Sequence, residues 1–132
     1  MKIGYCCGVF DLGHIGHINF LHNAKKLCDK LYIGVVLDSA IKKQKGQDRP
    51  ILTYEERVAW LMALGYKSNN IRLQVTFDPS MNLERIRPDI FIKGEDQTHI
   101  SEKNAVELNI PISYLKRTEG ISTSDIIKRI QK

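Results

Sequence analysis

Cysteine is scarce in this chain of 132 residues, limited to Cys6, Cys7 and Cys28. An odd count, with two cysteines adjacent on what reads as a buried strand, excludes a disulfide framework and points to a reducing cytoplasm. No Cys-x-x-Cys pair is present to suggest zinc. No apolar run approaches the roughly 20 residues of a membrane span, so no membrane partner is expected. Met1-Lys2-Ile3-Gly4-Tyr5 is already strand-like, so no signal peptide is expected either. Repeats, low-complexity segments and linkers are also lacking, and residues 1–132 read as one domain with a single core.

What is present is ordinary in bulk: 42% hydrophobic and 27% charged residues, as in a soluble globular protein. The net charge of +5 fits a nucleic acid or a small phosphorylated ligand. Apart from Lys42, Lys43 and Lys45 the basic residues are dispersed, and no aromatics interleave with those three. A nucleic-acid partner is therefore not expected.

Strands and helices alternate along the chain. Apolar runs mark strands at 3–9, 31–37, 71–77, 90–92 and 110–115. Helical spacing marks 15–28, a segment from Thr53 closed by Gly65, 81–86, 102–108 and 123–130. Thr53-Tyr54-Glu55-Glu56 and Ser122-Thr123-Ser124-Asp125 read as capping boxes. The polar stretch 39–51 reads as a mobile loop with at most a short helical start. The alternation implies a Rossmann-like α/β fold, a doubly wound sheet of about five parallel strands with helices on both faces.

Polar residues gather after the strands, where an open α/β sheet binds its ligands. After the first strand come Gly8, Val9, Phe10, Asp11, His14, Gly16 and His17; after the second, Lys42 and Lys45. Gly94 and Asp96 follow the fourth, and Arg117, Gly120, Ile121, Ser122 and Thr123 follow the fifth. His14 and His17 at a helix start suit a phosphate: Gly16 lets the backbone approach, the helix offers free N–H groups, and each imidazole offers a donor. Zinc would need a third ligand, and neither His22, read as a helix residue, nor His99, read as a loop residue, has the spacing. Lys45 and Lys42 fit a lid closing on a triphosphate, or a solvated loop face. Asp96 suits a cap, a ribose hydroxyl, a base or a cation. Arg117 before Gly120 suits a forked clamp on phosphate. Arg57 is either an exposed charge or a reach toward an acceptor.

Two stretches carry a resemblance. Gly8-Val9-Phe10-Asp11-Leu12 with His14-Ile15-Gly16-His17 resembles the HxGH signature of the nucleotidyltransferase superfamily. The stretch from Arg117 to Ile127 resembles the second signature of its cytidylyltransferase branch, which includes glycerol-3-phosphate and choline-phosphate cytidylyltransferases. The resemblance implies transfer of CMP from CTP to a small phosphorylated alcohol, glycerol 3-phosphate first among them, with pyrophosphate released. It implies that His14 and His17 donate to phosphates, and that Lys45 and Lys42 hold the triphosphate or the acceptor. It implies that Arg117, Ser122 and Thr123 hold the β- and γ-phosphates, that Asp96 contacts the nucleoside, and that Asp11, placed with Lys42, Lys45 and Arg57 among the substrate-binding residues, braces the first turn rather than reacts. Mg²⁺ is expected to arrive on the nucleotide, with no protein metal site, and a homodimer is implied by the resemblance alone. Gly13 stands where relatives carry a bulky residue, which implies a looser pocket. The stretches 42–50 and 87–96 resemble heptose-1-phosphate adenylyltransferases more closely, which keeps an adenylyltransferase acting on a sugar phosphate or a flavin nucleotide as the alternative. A non-catalytic binding module is a third, disfavoured by the intact His14, His17 and Arg117.

Overall fold

The computed structural model describes residues 1–131. Five strands, β1 (Ile3–Gly8), β2 (Lys30–Val36), β3 (Ile71–Gln74), β4 (Ile90–Gly94) and β5 (Ile112–Leu115), form one all-parallel sheet in the order β3-β2-β1-β4-β5. The helices are α1 (Ile15–Lys25), α2 (Asp38–Lys45), α3 (Tyr54–Ala63), α4 (Ser80–Ile86), α5 (Lys103–Glu107) and α6 (Thr123–Ile130). This is the Rossmann-like doubly wound arrangement that the alternation implied.

The pleat divides the core into two layers, because neighbouring side chains of a strand point to opposite faces. Cys6 of β1 with Ile90 and Ile92 of β4 joins Leu21 and Ala24 of α1 and Leu61 of α3. Tyr5 and Cys7 of β1 with Phe91 of β4 join Leu83 of α4 and Ala105 of α5. β1 and β4 are therefore covered on both faces, as their continuous apolar runs require.

Beyond small shifts at element ends, two elements and one cap differ from the sequence reading. The 39–51 loop is helical through Lys45: α2 starts on Asp38 and ends among Lys42, Lys43 and Lys45, charges that complement the helix dipole at both ends. Ile41 is its one buried residue, so it shows no apolar stripe. β3 stops at Gln74, short of the alternation that runs to Phe77. At α6, Ser122 accepts from the Asp125 amide at 3.1 Å, which is one half of a capping box. At α3 both halves form between Thr53 and Glu56. No helix among the described residues is long and apolar enough to cross a membrane.

Candidate active site

The β1–α1 turn is strained and strongly held. Phe10 and Leu12 are left-handed, with φ of 55° and 52°; each such residue costs about 1–2 kcal/mol. Four hydrogen bonds hold the strain in place. Arg57 Nη1 donates to the Val9 carbonyl at 2.8 Å, and the Thr123 hydroxyl donates to the Asp11 carbonyl at 2.8 Å. The Asp11 carboxylate accepts the Ile51 and Leu52 amides at 2.7 and 2.9 Å.

The turn delivers the two histidines to the N-terminus of α1. The Gly16 amide donates to His14 Nδ1 at 3.1 Å, and the His14 amide donates to His17 Nδ1 at 3.3 Å. Since each Nδ1 accepts, the proton of each neutral ring sits on Nε2. Backbone geometry thus fixes both tautomers and makes both Nε2 atoms donors. A Cβ on Gly16 would press to 2.9 Å from the His14 ring, so glycine is what lets the imidazole fold over the helix end. The rings stack, with centroids 3.7 Å apart. Burial lowers the pKa of both. His17 falls to about 3, mainly through burial, with lesser contributions from His14 and Lys45. The pair is therefore neutral at neutral pH.

Both histidines line a cavity of about 240 Å³ at the carboxyl edge of the sheet. Gly8, Val9, Phe10 and Gly16 line it from the first turn, and Lys45 lines it from the end of α2. Gly94, Asp96, Arg117, Ile121, Ser122 and Thr123 close the other flank. Arg117 is 49% exposed and lies 4.0 Å from Asp96. Lys45 is exposed in surface area, yet partial burial of its ammonium, then the Arg49 charge, holds it below the ordinary lysine value. The Cys6 and Cys7 thiols take no part: both are fully buried, and burial pushes Cys7 up to about 12.

Four candidate residues do not line this cavity. Arg57, read as a contact to an acceptor, is fully buried. Its Nε donates to Leu52 O at 3.2 Å, Nη1 to Val9 O, and Nη2 to the Asp38 carboxylate at 2.5 Å. Asp11, placed among the substrate-binding residues, is buried and spends both oxygens on backbone amides, so it braces the turn and leaves no oxygen turned to the cavity. Lys42 is exposed on α2. Gly120, at φ 77°, shapes the turn ahead of α6. Gly13 corrects another expectation: a Cβ there would overlap the Trp60 indole, so the missing bulk is supplied by α3 and the pocket is not loosened.

Several lining residues escaped the sequence reading. His99 packs edge-on against Phe77 at 4.6 Å, and both line the cavity. Gln97 holds the site's backbone: its Oε1 accepts from Gly94 N and its Nε2 donates to Cys7 O, each at 2.9 Å. Arg49 lines the cavity next to Lys45. The one sequence signal for Arg49 was its place in the lysine-rich loop.

The cytidylyltransferase-like family model matches residues 5–129. The chain belongs to that family. The family model and the relatives below support a nucleotidyltransferase domain, and the histidine pair, Arg117 and the start of α6 line one cavity in it. Curated relatives include the bifunctional protein HldE of Nitrosococcus oceani, 38% identical over 95% of this chain and 27% of its own length. The bifunctional protein HldE of Campylobacter jejuni subsp. doylei is 36% identical over 98% of this chain and 28% of its own. The chain thus spans about a quarter of the length of these curated relatives, matching 28% and 27% of two of them. Among solved structures, the lipopolysaccharide core biosynthesis protein of Thermoplasma volcanium superposes with a TM-score of 0.69 at 27% identity, covering 89% of this chain and 97% of that one. A pantoate-beta-alanine ligase from Francisella tularensis, at 12% identity and a TM-score of 0.60 over 98% of this chain and 69% of that one, shares the fold.

Proposed function

We propose that this domain transfers the adenylyl group of ATP to the phosphate of a phosphorylated sugar. An acceptor phosphate oxygen forms a bond to the α-phosphorus, the bond from that phosphorus to the bridging oxygen breaks, and pyrophosphate leaves with the electron pair. The entering oxygen is already anionic, so no general base is needed. Catalysis is then positioning and stabilisation of the charge that spreads over the α-phosphate and the leaving group. The Nε2–H groups of His14 and His17 donate to the reacting phosphate. Arg117 and the α6 N-terminus take the β- and γ-phosphates, and Asp96 the nucleoside. Lys45 neutralises charge from the opposite wall. Magnesium enters as part of MgATP; no cluster of three or more His, Cys, Asp or Glu suited to a metal ion exists among the described residues.

The observation that carries nucleotidyl transfer is the meeting of the tautomer-locked pair with Arg117 and the α6 N-terminus in one cavity. ATP and a sugar phosphate are favoured over the CTP and glycerol 3-phosphate expected at first. The stretches 42–50 and 87–96 resemble heptose-1-phosphate adenylyltransferases, HldE proteins recur among the relatives, and the Thermoplasma neighbour is described as a lipopolysaccharide core biosynthesis protein. The cytidylyl reading keeps one observation of its own, the resemblance of 117–127 to the cytidylyltransferase signature.

The experiment is pyrophosphate release with ATP or CTP against a panel of sugar phosphates, glycerol 3-phosphate and flavin mononucleotide. Turnover with ATP and a sugar phosphate is expected. Turnover with CTP and glycerol 3-phosphate, and none with ATP, overturns the proposal.

A further inference from the structure

Arg49 sits in the connection between α2 and α3, and its side chain, 16% exposed, lines the cavity beside Lys45. Its Nε is buried and has no hydrogen-bond partner among the described residues. Asp11 stands 4.0 Å away, but both of its oxygens already accept the Ile51 and Leu52 amides. A buried guanidinium N–H without an acceptor is uncommon in a folded protein and calls for an explanation. Lys45 shares the wall: after burial, the Arg49 charge is the main cause of its lowered pKa, with Asp11 opposing. Two neighbouring cations that disfavour each other, one with an unspent donor, are relieved together by an anion with several oxygens.

The sheet order locates this pair. Lys45 and Arg49 follow β2, on one side of β1 and its histidines, whereas Asp96 follows β4 and Arg117 follows β5 on the other side. In phosphoryl-type displacement the entering and leaving oxygens lie roughly in line through the phosphorus. With the pyrophosphate on the Arg117 flank, the entering oxygen approaches from the β2 flank.

We propose that Arg49, together with Lys45, binds the phosphate of the acceptor, across the histidine pair from the β- and γ-phosphates of the nucleotide. The assignment rests on the nucleotidyl-transfer reading of the same site, and it makes Arg49 a second forked donor there. Substituting it leaves both Asp11 carboxylate bonds to backbone amides in place, so the loop keeps its anchor.

The test measures two affinities by calorimetry: magnesium α,β-methylene-ATP to the free protein, and inorganic phosphate to the protein saturated with that analogue. Arg49→Gln is expected to weaken phosphate by about tenfold or more and to change the analogue's Kd by less than about twofold. Arg49→Lys, which keeps the charge and serves if the glutamine variant does not fold, is expected to fall between. In turnover, KM for the acceptor rises and KM for the nucleotide holds. Loss of analogue affinity with phosphate unchanged, equal loss of both, or no phosphate binding to the saturated wild type overturns the assignment. If the binding results hold and no sugar phosphate is turned over, the assignment stands and the adenylyl-sugar reading alone falls.

Discussion

Arg57 and Arg117 looked alike in the sequence, two arginines near the start of predicted helices, one a candidate to reach the acceptor and the other to clamp phosphate. In the fold they are opposites. Arg57 is fully buried, with donors given to Leu52 O, Val9 O and Asp38 and its guanidinium 5.9 Å from the Tyr54 ring centre. Arg117 is 49% exposed, and among the described residues its guanidinium has one loose ion contact, with Asp96 at 4.0 Å. An arginine whose donors are spent inside the protein builds the site, and one whose donors remain available can bind in it. The same contrast separates the two flanks of the cleft: the Asp38–Arg57–Asp11 side is tied together, and the Arg117 side is open.

The comparison breaks most visibly at Arg57. Arg57→Leu removes three hydrogen bonds and unpairs Asp38, and is expected to cost about 3 kcal/mol or more of stability, read by urea denaturation. Wild-type stability in that variant would show that Arg57 is not structural. Arg117→Ala should give the reverse pattern. Turnover is expected to fall by about a hundredfold, while stability changes by no more than about 0.5 kcal/mol. Pyrophosphate release and thermal melting on the same preparation decide it, and a large drop in melting temperature with catalysis intact would remove the distinction.

The smallest effect is a pH slope. Folded His17 stays neutral down to about 3, whereas the unfolded imidazole takes up a proton near its ordinary value of 6.5. Between those values the unfolded state binds the extra proton, so acidification through this window lowers stability. His17→Gln is expected to lose less stability than the wild type as pH falls from neutrality toward 4, measured by denaturation at several pH values. Parallel slopes would contradict the buried neutral ring.

The sheet, its helices and the histidine turn were legible because their signals are local: apolar runs, helical spacing and capping residues within a few positions of one another. Arg57 was not legible, because its partners Val9 and Asp38 lie 48 and 19 residues away. α2 hid for a different reason. With Ile41 as its one buried residue it has no stripe to detect, and its signal lies in charges at its two ends. Gly13 shows the limit of reading one position by itself, since its lost volume returns as Trp60 from a distant helix. The aromatic wall of Phe77 and His99 likewise joins the loop after β3 to the loop after β4.

Asp11 receives the connection ahead of α3 on its carboxylate and α6 on its carbonyl. The two jaws of the cleft are thereby fastened to one residue, like leaves on a shared hinge pin. Widening the mouth on either side pulls on bonds that meet there. Asp11 itself lies outside the cavity lining, so its substitution is expected to loosen both jaws at once while every lining side chain is kept.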